Sequence, residues 1–262
     1  MLLRNTLGRF FRGRPFRREA MGALLLAFLA GFGPPGAAAD PLSEALARLQ
    51  SEDILVSDAA VAEIVAVGPP AVPALLGLLE DDRRDVRAGA IRGLGELGDP
   101  RAAAPLRGLL AESLDHAGPD DMAARYHRIL LVQALGRLRD PGARELLLRV
   151  SRGADPFERT HAAISLFLSG ADPGYDLVRA SLEDPDPAIR CLAAEGVAES
   201  REGSVASLLL PRTRDESWLV RDTAFRELAT HASEPGVREA YQSGASDPSW
   251  YVRQTVAEFA PD

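Results

Sequence analysis

Residues 215–221 read Asp215-Glu216-Ser217-Trp218-Leu219-Val220-Arg221, and residues 247–253 read Asp247-Pro248-Ser249-Trp250-Tyr251-Val252-Arg253. Asp, Ser, Trp, Val and Arg recur at the same places 32 residues on, which is an internal repeat. Working outward, the closing Arg recurs as Arg87, Arg128, Arg159, Arg190, Arg221 and Arg253, with gaps of 41, 31, 31, 31 and 32. One residue before it stand Val86, Ile189, Val220 and Val252. Three after it stand Ala90, Leu131, Ala162, Ala193, Ala224 and Val256, and seven after it Leu94, Leu135, Leu166, Val197, Leu228 and Ala260. Apolar residues at these offsets share one face of an α-helix. Six before the Arg stand Asp81, Asp184, Asp215 and Asp247, in turns where an acid can cap free N–H groups.

Breakers follow each of these first helices: Gly98-Asp99-Pro100, Asp140-Pro141-Gly142, Asp172-Pro173-Gly174 and Glu234-Pro235-Gly236. A second apolar-striped segment comes next, over 72–79, 103–110, 143–150, 175–182, 205–210 and 237–241. Each unit of about 31 residues therefore reads helix, turn, helix, turn. The units fall at approximately 51–81, 82–112, 122–153, 154–184, 185–215 and 216–247, with a half unit at 248–262. Leu42 to Leu49 is expected to form a helix over the N-terminal end of the array. A helix pair cannot bury its stripes alone, so stacked pairs bury them against each other.

The phrases at 81–87, 215–221 and 247–253, together with Ala90-Ile91-Arg92-Gly93-Leu94-Gly95-Glu96-Leu97-Gly98-Asp99-Pro100, resemble short bacterial-type HEAT repeats, over about residues 51–262. The resemblance implies an all-α, right-handed α-solenoid of about six to seven helix pairs. It specifies little about function, because such repeats serve many tasks. The unit around Arg128 departs from the pattern. An insertion of roughly 112–121 precedes it, His127 stands where others have Val or Ile, and the next unit has Glu158 there; these two units are expected to be tilted or loosely packed.

Residues 1–39 carry six Arg against the single acid Glu19, then the apolar run Met21 to Phe32, then Ala37-Ala38-Ala39 before Asp40. That order reads as a secretory signal peptide, and predicts export to the periplasm or cell envelope. No stable membrane insertion is expected once the leader is cleaved. The full chain of 262 residues has a net charge of −8; without residues 1–39, 24 Arg face 37 acids, a charge of −13. An acidic body repels phosphate backbones, so no nucleic-acid partner is expected. That argues against a further reading, a HEAT-like DNA glycosylase.

The six repeated Arg are read as a structural ladder of charge-assisted bonds along the stack. Trp218 and Trp250 occupy matched positions, which suits either packing between repeats or an aromatic edge that grips a peptide. Second helices are expected to line the concave side. By alignment of the repeats, with a step of 31 after the insertion, Arg107, Leu148, Arg179, Leu210 and Tyr241 form one row there, and Glu145, Asp176, Ser207 and Arg238 another. Arg107, Glu145, Asp176, Arg179, Arg238, Tyr241, Trp218 and Trp250 are the candidate partner-binding residues.

No catalytic, cofactor or metal residue is assigned. Of His116, His127, His161 and His231, none is followed by Glu, so the paired His-Glu motifs of HEAT-repeat di-iron hydroxylases have no counterpart. Cys191 is the single cysteine and reads as a small buried thiol. The expected function is an exported, non-catalytic scaffold or adaptor that binds a protein or peptide. The alternative is an enzyme or accessory factor like the HEAT-type bilin lyases, an expectation resting on resemblance alone.

Overall fold

The computed structural model describes residues 40–51, 53–116, 122–200 and 205–260. The expected leader at 1–39 and the end of the insertion, 117–121, lie outside them. Among the described residues there are helices and turns and no strand. Helix α1 (Pro41–Leu49) is followed by α2 (Ile54–Val67) with α3 (Val72–Gly77), α4 (Arg84–Leu97) with α5 (Ala103–Asp115), α6 (Met122–Arg137) with α7 (Arg144–Ser151), α8 (Pro156–Leu168) with α9 (Gly174–Leu182), α10 (Pro187–Val197) with α11 (Val205–Leu209), α12 (Trp218–Leu228) with α13 (Val237–Gly244), and then α14 (Trp250–Phe259).

The first helices α2, α4, α6, α8, α10, α12 and α14 pack each on the next. Their seam is the periodic apolar stripe. Val86, Ile189, Val220 and Val252 are buried, as are all six residues three after the Arg and five of those seven after it. Ala260 differs: α14 ends at Phe259, and Ala260 is exposed beyond it. The second helices supply a matching row, Leu75, Leu106, Leu147, Val178, Leu209 and Tyr241, buried throughout. Ala45 and Leu49 of α1 are buried against α2. Each fully buried Leu or Val contributes about 1.5–3 kcal/mol, and the repeat distributes that gain along the chain.

The turns are built from the breakers. Gly98 closes α4 in the left-handed region at φ 64°, its N–H bonded to the Leu94 carbonyl, where a side chain would be strained. Asp99 then caps the next turn, its carboxylate accepting from Arg101 N, and Pro100 starts a short 3-10 turn that needs no N–H. Asp140 and Pro141 repeat the device, with Gly142 N as donor. The most apolar pair, 55–67 with 69–80, bends by 117° at such a turn. Among the described residues no single helix is long and apolar enough to cross a membrane.

Polar bonds between repeats carry the period in their spacing. Ser165 Oγ donates to Val132 O, Arg101 Nη2 to Pro69 O, Arg212 Nη1 to Leu182 O and Arg92 Nη2 to Asp58 Oδ1, over 33, 32, 30 and 34 residues respectively. Each joins a repeat to its neighbour, which makes the array quasi-one-dimensional.

Candidate partner-binding surface

The repeated Arg acts first on its own turn. Nη1 of Arg190 donates to the carbonyls of Asp184 and Pro185 at 2.8 and 3.1 Å, Arg221 to those of Asp215 and Glu216 at 2.9 and 3.2 Å, and Arg253 to those of Asp247 and Pro248 at 2.6 and 3.1 Å. Arg87 reaches Asp81 O and Asp82 O, and Arg159 reaches Gly153 O and Ala154 O. The Asp six residues upstream serves the turn twice. Its carbonyl takes the guanidinium, while its carboxylate accepts the N–H two residues on: Asp81 from Arg83, Asp184 from Asp186, Asp215 from Ser217, Asp247 from Ser249. That acceptance closes the turn ahead of the helix rather than capping the helix's own first N–H groups.

Two rungs also reach the following repeat. Arg190 Nε and Nη2 grip the Asp215 carboxylate at 3.0 and 2.7 Å, and Arg221 grips Asp247 at 2.7 and 2.9 Å. Bidentate pairing raises the pKa of both guanidinium groups, and the Arg221 bonds hold the Asp247 carboxyl below its ordinary value.

The unit around Arg128 solves the same problem differently. Helix α6 begins six residues before its Arg, whereas α4, α8, α10, α12 and α14 begin three before theirs. The carbonyls that would accept Arg128 thus lie inside a helix. Its Nε and Nη2 turn to Glu158 Oε1 at 3.0 and 2.8 Å, both side chains are buried, and Nη1 has no hydrogen-bond partner. Glu158 departs from the apolar pattern because it receives Arg128, and the two units expected to pack loosely are joined by a buried ion pair.

On the second helices Glu145, Asp176, Arg179, Ser207 and Arg238 are exposed. Arg107 is half-buried and bonded to Asp140 Oδ2 at 2.5 Å. Leu148 is buried, and Tyr241 is 3% exposed, its hydroxyl donating to Phe225 O and its ring set edge-on to Phe225 at 5.3 Å. Tyr241 therefore cannot meet a partner. The last unit is 32 residues long, so the 31-residue alignment slips by one there. Tyr241 belongs with Leu106, Leu147, Val178 and Leu209. The exposed row correctly runs Glu145, Asp176, Ser207, Glu239, with Arg238 exposed beside it.

Trp218, Trp250 and Tyr251 are each about half exposed. Trp218 stacks on Tyr251 of the following repeat at 4.9 Å, so the matched position does pack between repeats while leaving ring surface in solvent. Tyr126, Phe157 and Leu219 are also exposed. They hold the place of Tyr251, two residues before the repeated Arg, and that shared offset was the sequence signal for them. Among the described residues no group of three His, Cys, Asp or Glu converges as a metal site would require. His161 is packed so that burial and the nearby Arg137 lower its pKa to about 4 against a weaker pull from Asp155, and Gln133 Nε2 lies 3.2 Å from its Nδ1.

Residues 39–117 match the family model described as HEAT repeats. That segment matches HEAT repeats by sequence. The same helix-pair plan continues past residue 117 to the end of the described chain. The array is similar to the structure of the complex of CpcE and CpcF of phycocyanin lyase from Nostoc sp., with TM-score 0.50 and 17% identity, covering 87% of this chain and 97% of that one. Human deoxyhypusine hydroxylase in complex with glycerol matches with TM-score 0.36 and 17% identity over 82% of this chain and 93% of its own. An engineered protein matches with TM-score 0.41 and 17% identity over 84% of this chain and 67% of its own. These likenesses are of fold. No curated protein matches.

Proposed function

We propose that this chain is an exported, non-catalytic HEAT-repeat scaffold that binds a protein or peptide partner along its second helices. In that reading it is a right-handed solenoid of six to seven helix pairs whose leader, 1–39, is removed, and it works in the periplasm or cell envelope. The carrying observation is the row Glu145, Asp176, Ser207 and Glu239: one solvent-facing position per repeat, while Arg107, Arg190 and Arg221 are spent on holding repeats together. A regular, outward row of mixed polarity with Arg179 and Arg238 alongside suits a protein surface better than a polyanion. The similar phycocyanin lyase structure is a complex of two chains, which also favours a protein partner.

The test compares pull-downs from an envelope extract. Bait is the natural chain or a charge-swapped variant carrying Glu145→Arg, Asp176→Arg, Arg179→Glu and Glu239→Arg. A prey recovered by the first and lost from the second is expected. Identical recoveries overturn the reading. N-terminal sequencing of protein from the envelope fraction is expected to begin near Asp40, and an intact Met1 in the cytoplasm overturns export.

A further inference from the structure

The chain has two tryptophans, and both open helices: Trp218 is the first residue of α12, Trp250 of α14. Helix formation gives no reason for an aromatic there, since first-turn positions favour Pro, Asp and Glu; α8 and α10 have Pro156 and Pro187 in that place. The core does not account for them either, with Trp218 44%, Trp250 55% and Tyr251 49% exposed. Tyr251 stands between the two, 4.9 Å from Trp218 with planes 21° apart and 4.1 Å from Trp250 with planes 31° apart. Three rings form one surface across a repeat boundary, and Leu219 is exposed beside them.

The ladder beneath these rings is closed on itself. Arg190 and Arg221 are matched by Asp215 and Asp247, and Arg253 is tied to turn carbonyls. The carboxylate that remains outside is Glu216, two residues before Trp218, its side chain 85% exposed, with Arg190 Nη2 at 3.4 Å. The competing charge is Arg214, exposed at the far end of the same turn. Ring faces carry the negative end of the aromatic quadrupole and attract guanidinium or ammonium groups. The whole chain, at −8, favours a cationic visitor as well.

We infer that the Trp218–Tyr251–Trp250 surface docks an extended, arginine- or lysine-bearing segment of a partner protein, one cation lying on the rings and a second meeting Glu216. The inference rests on the partner-binding reading above and gives the partner its chemistry, but through side chains the charge-swapped variant leaves intact.

Titration of the full chain with hexa-arginine, read by tryptophan emission, tests it, because emission reports on this surface alone. A saturable change is expected, with none from hexa-glutamate. Trp250→Ala, an exposed substitution whose fold is checked by circular dichroism, weakens binding about tenfold. Glu216→Gln weakens it about threefold and Arg214→Gln tightens it. Absence of a saturable change overturns the inference, as does hexaproline binding where hexa-arginine is silent. An affinity unmoved by Trp250→Ala and Glu216→Gln also overturns it, since the peptide is then held by the acidic body at large. Loss of prey from the charge-swapped bait with no hexa-arginine response would sink this inference alone; the converse would sink the second-helix reading alone.

Discussion

Arg221 and Arg253 occupy the same place in successive repeats with different company. Both tie down their own turn, but only Arg221 also grips a carboxylate of the next unit, and both members of that pair are nearly buried. Removing one partner of a buried pair strands the other. Arg221→Ala should therefore cost about 3 kcal/mol and Arg253→Ala about 1 kcal/mol or less, by denaturant unfolding. Equal losses would mean the carboxylate arm contributes nothing. The recurrence of Arg was legible in the sequence; its acceptors were not, because carbonyls at −6 and −5 depend on where the helix starts. Arg128 shows the dependence, since an earlier start sends it to Glu158. His161 sets the response to acid. The fold holds it neutral down to about pH 4 while the unfolded chain takes a proton near 6.5, so unfolding binds protons between those values. Stability then falls as pH drops from 6.5 to 4, by up to roughly 3 kcal/mol. His161→Gln should make the profile shallower in that window, leaving what His127 adds, since burial lowers its pKa too. Asp247 acts lower: with its carboxyl held below 3.8, its contribution is complete above that value and lost as pH falls further.

At the scale of helices, the offsets −1, +3 and +7 marked the buried face of the first helices, except at His127 of α6 and at Ala260 beyond the end of α14, because that face is set by local periodicity. The second helices were harder to read. They are short, and one extra residue in the last unit rotates a 31-residue alignment by one position, enough to mistake buried Tyr241 for a surface residue. Close approach between helices is a separate constraint. A Cβ on Gly136 of α6 would lie 2.5 Å from Ser165 Oγ and 2.8 Å from Ser165 Cα in α8. Backbone cannot yield as a side chain tip can, so Gly136→Ala should destabilise by about 2 kcal/mol despite its better helix propensity. The same change at Gly108, exposed with nothing within 4 Å of its Cβ position, should stabilise by about 0.5–1 kcal/mol. Thermal melts of the pair decide the matter, and similar shifts for both would refute the packing account.

For the described array as a whole, the core is two apolar clusters rather than one. The first runs from Ala45 to Leu166 and the second from Ile164 to Val256, and they meet in α8, where Ala162 and Leu166 face one and Ile164 and Leu168 the other. Apart from the part-exposed Arg137–Glu199 ion pair at 3.6 Å, which skips one unit, the bonds named here reach only to adjacent units, so little obliges the two clusters to unfold together. Both tryptophans lie on repeats of the second cluster, whereas circular dichroism averages all helices. Phe225→Ala, in the second cluster, removes a buried ring worth about 3–5 kcal/mol. In that variant, tryptophan emission should show a midpoint at lower denaturant than the dichroism transition. Amide exchange should quicken in α10 and α12 but not in α2 and α4. Coincident transitions with uniformly faster exchange would mean that α8 couples the halves into one cooperative unit, and a partner bound along the second helices would then stiffen every repeat at once rather than only those it touches.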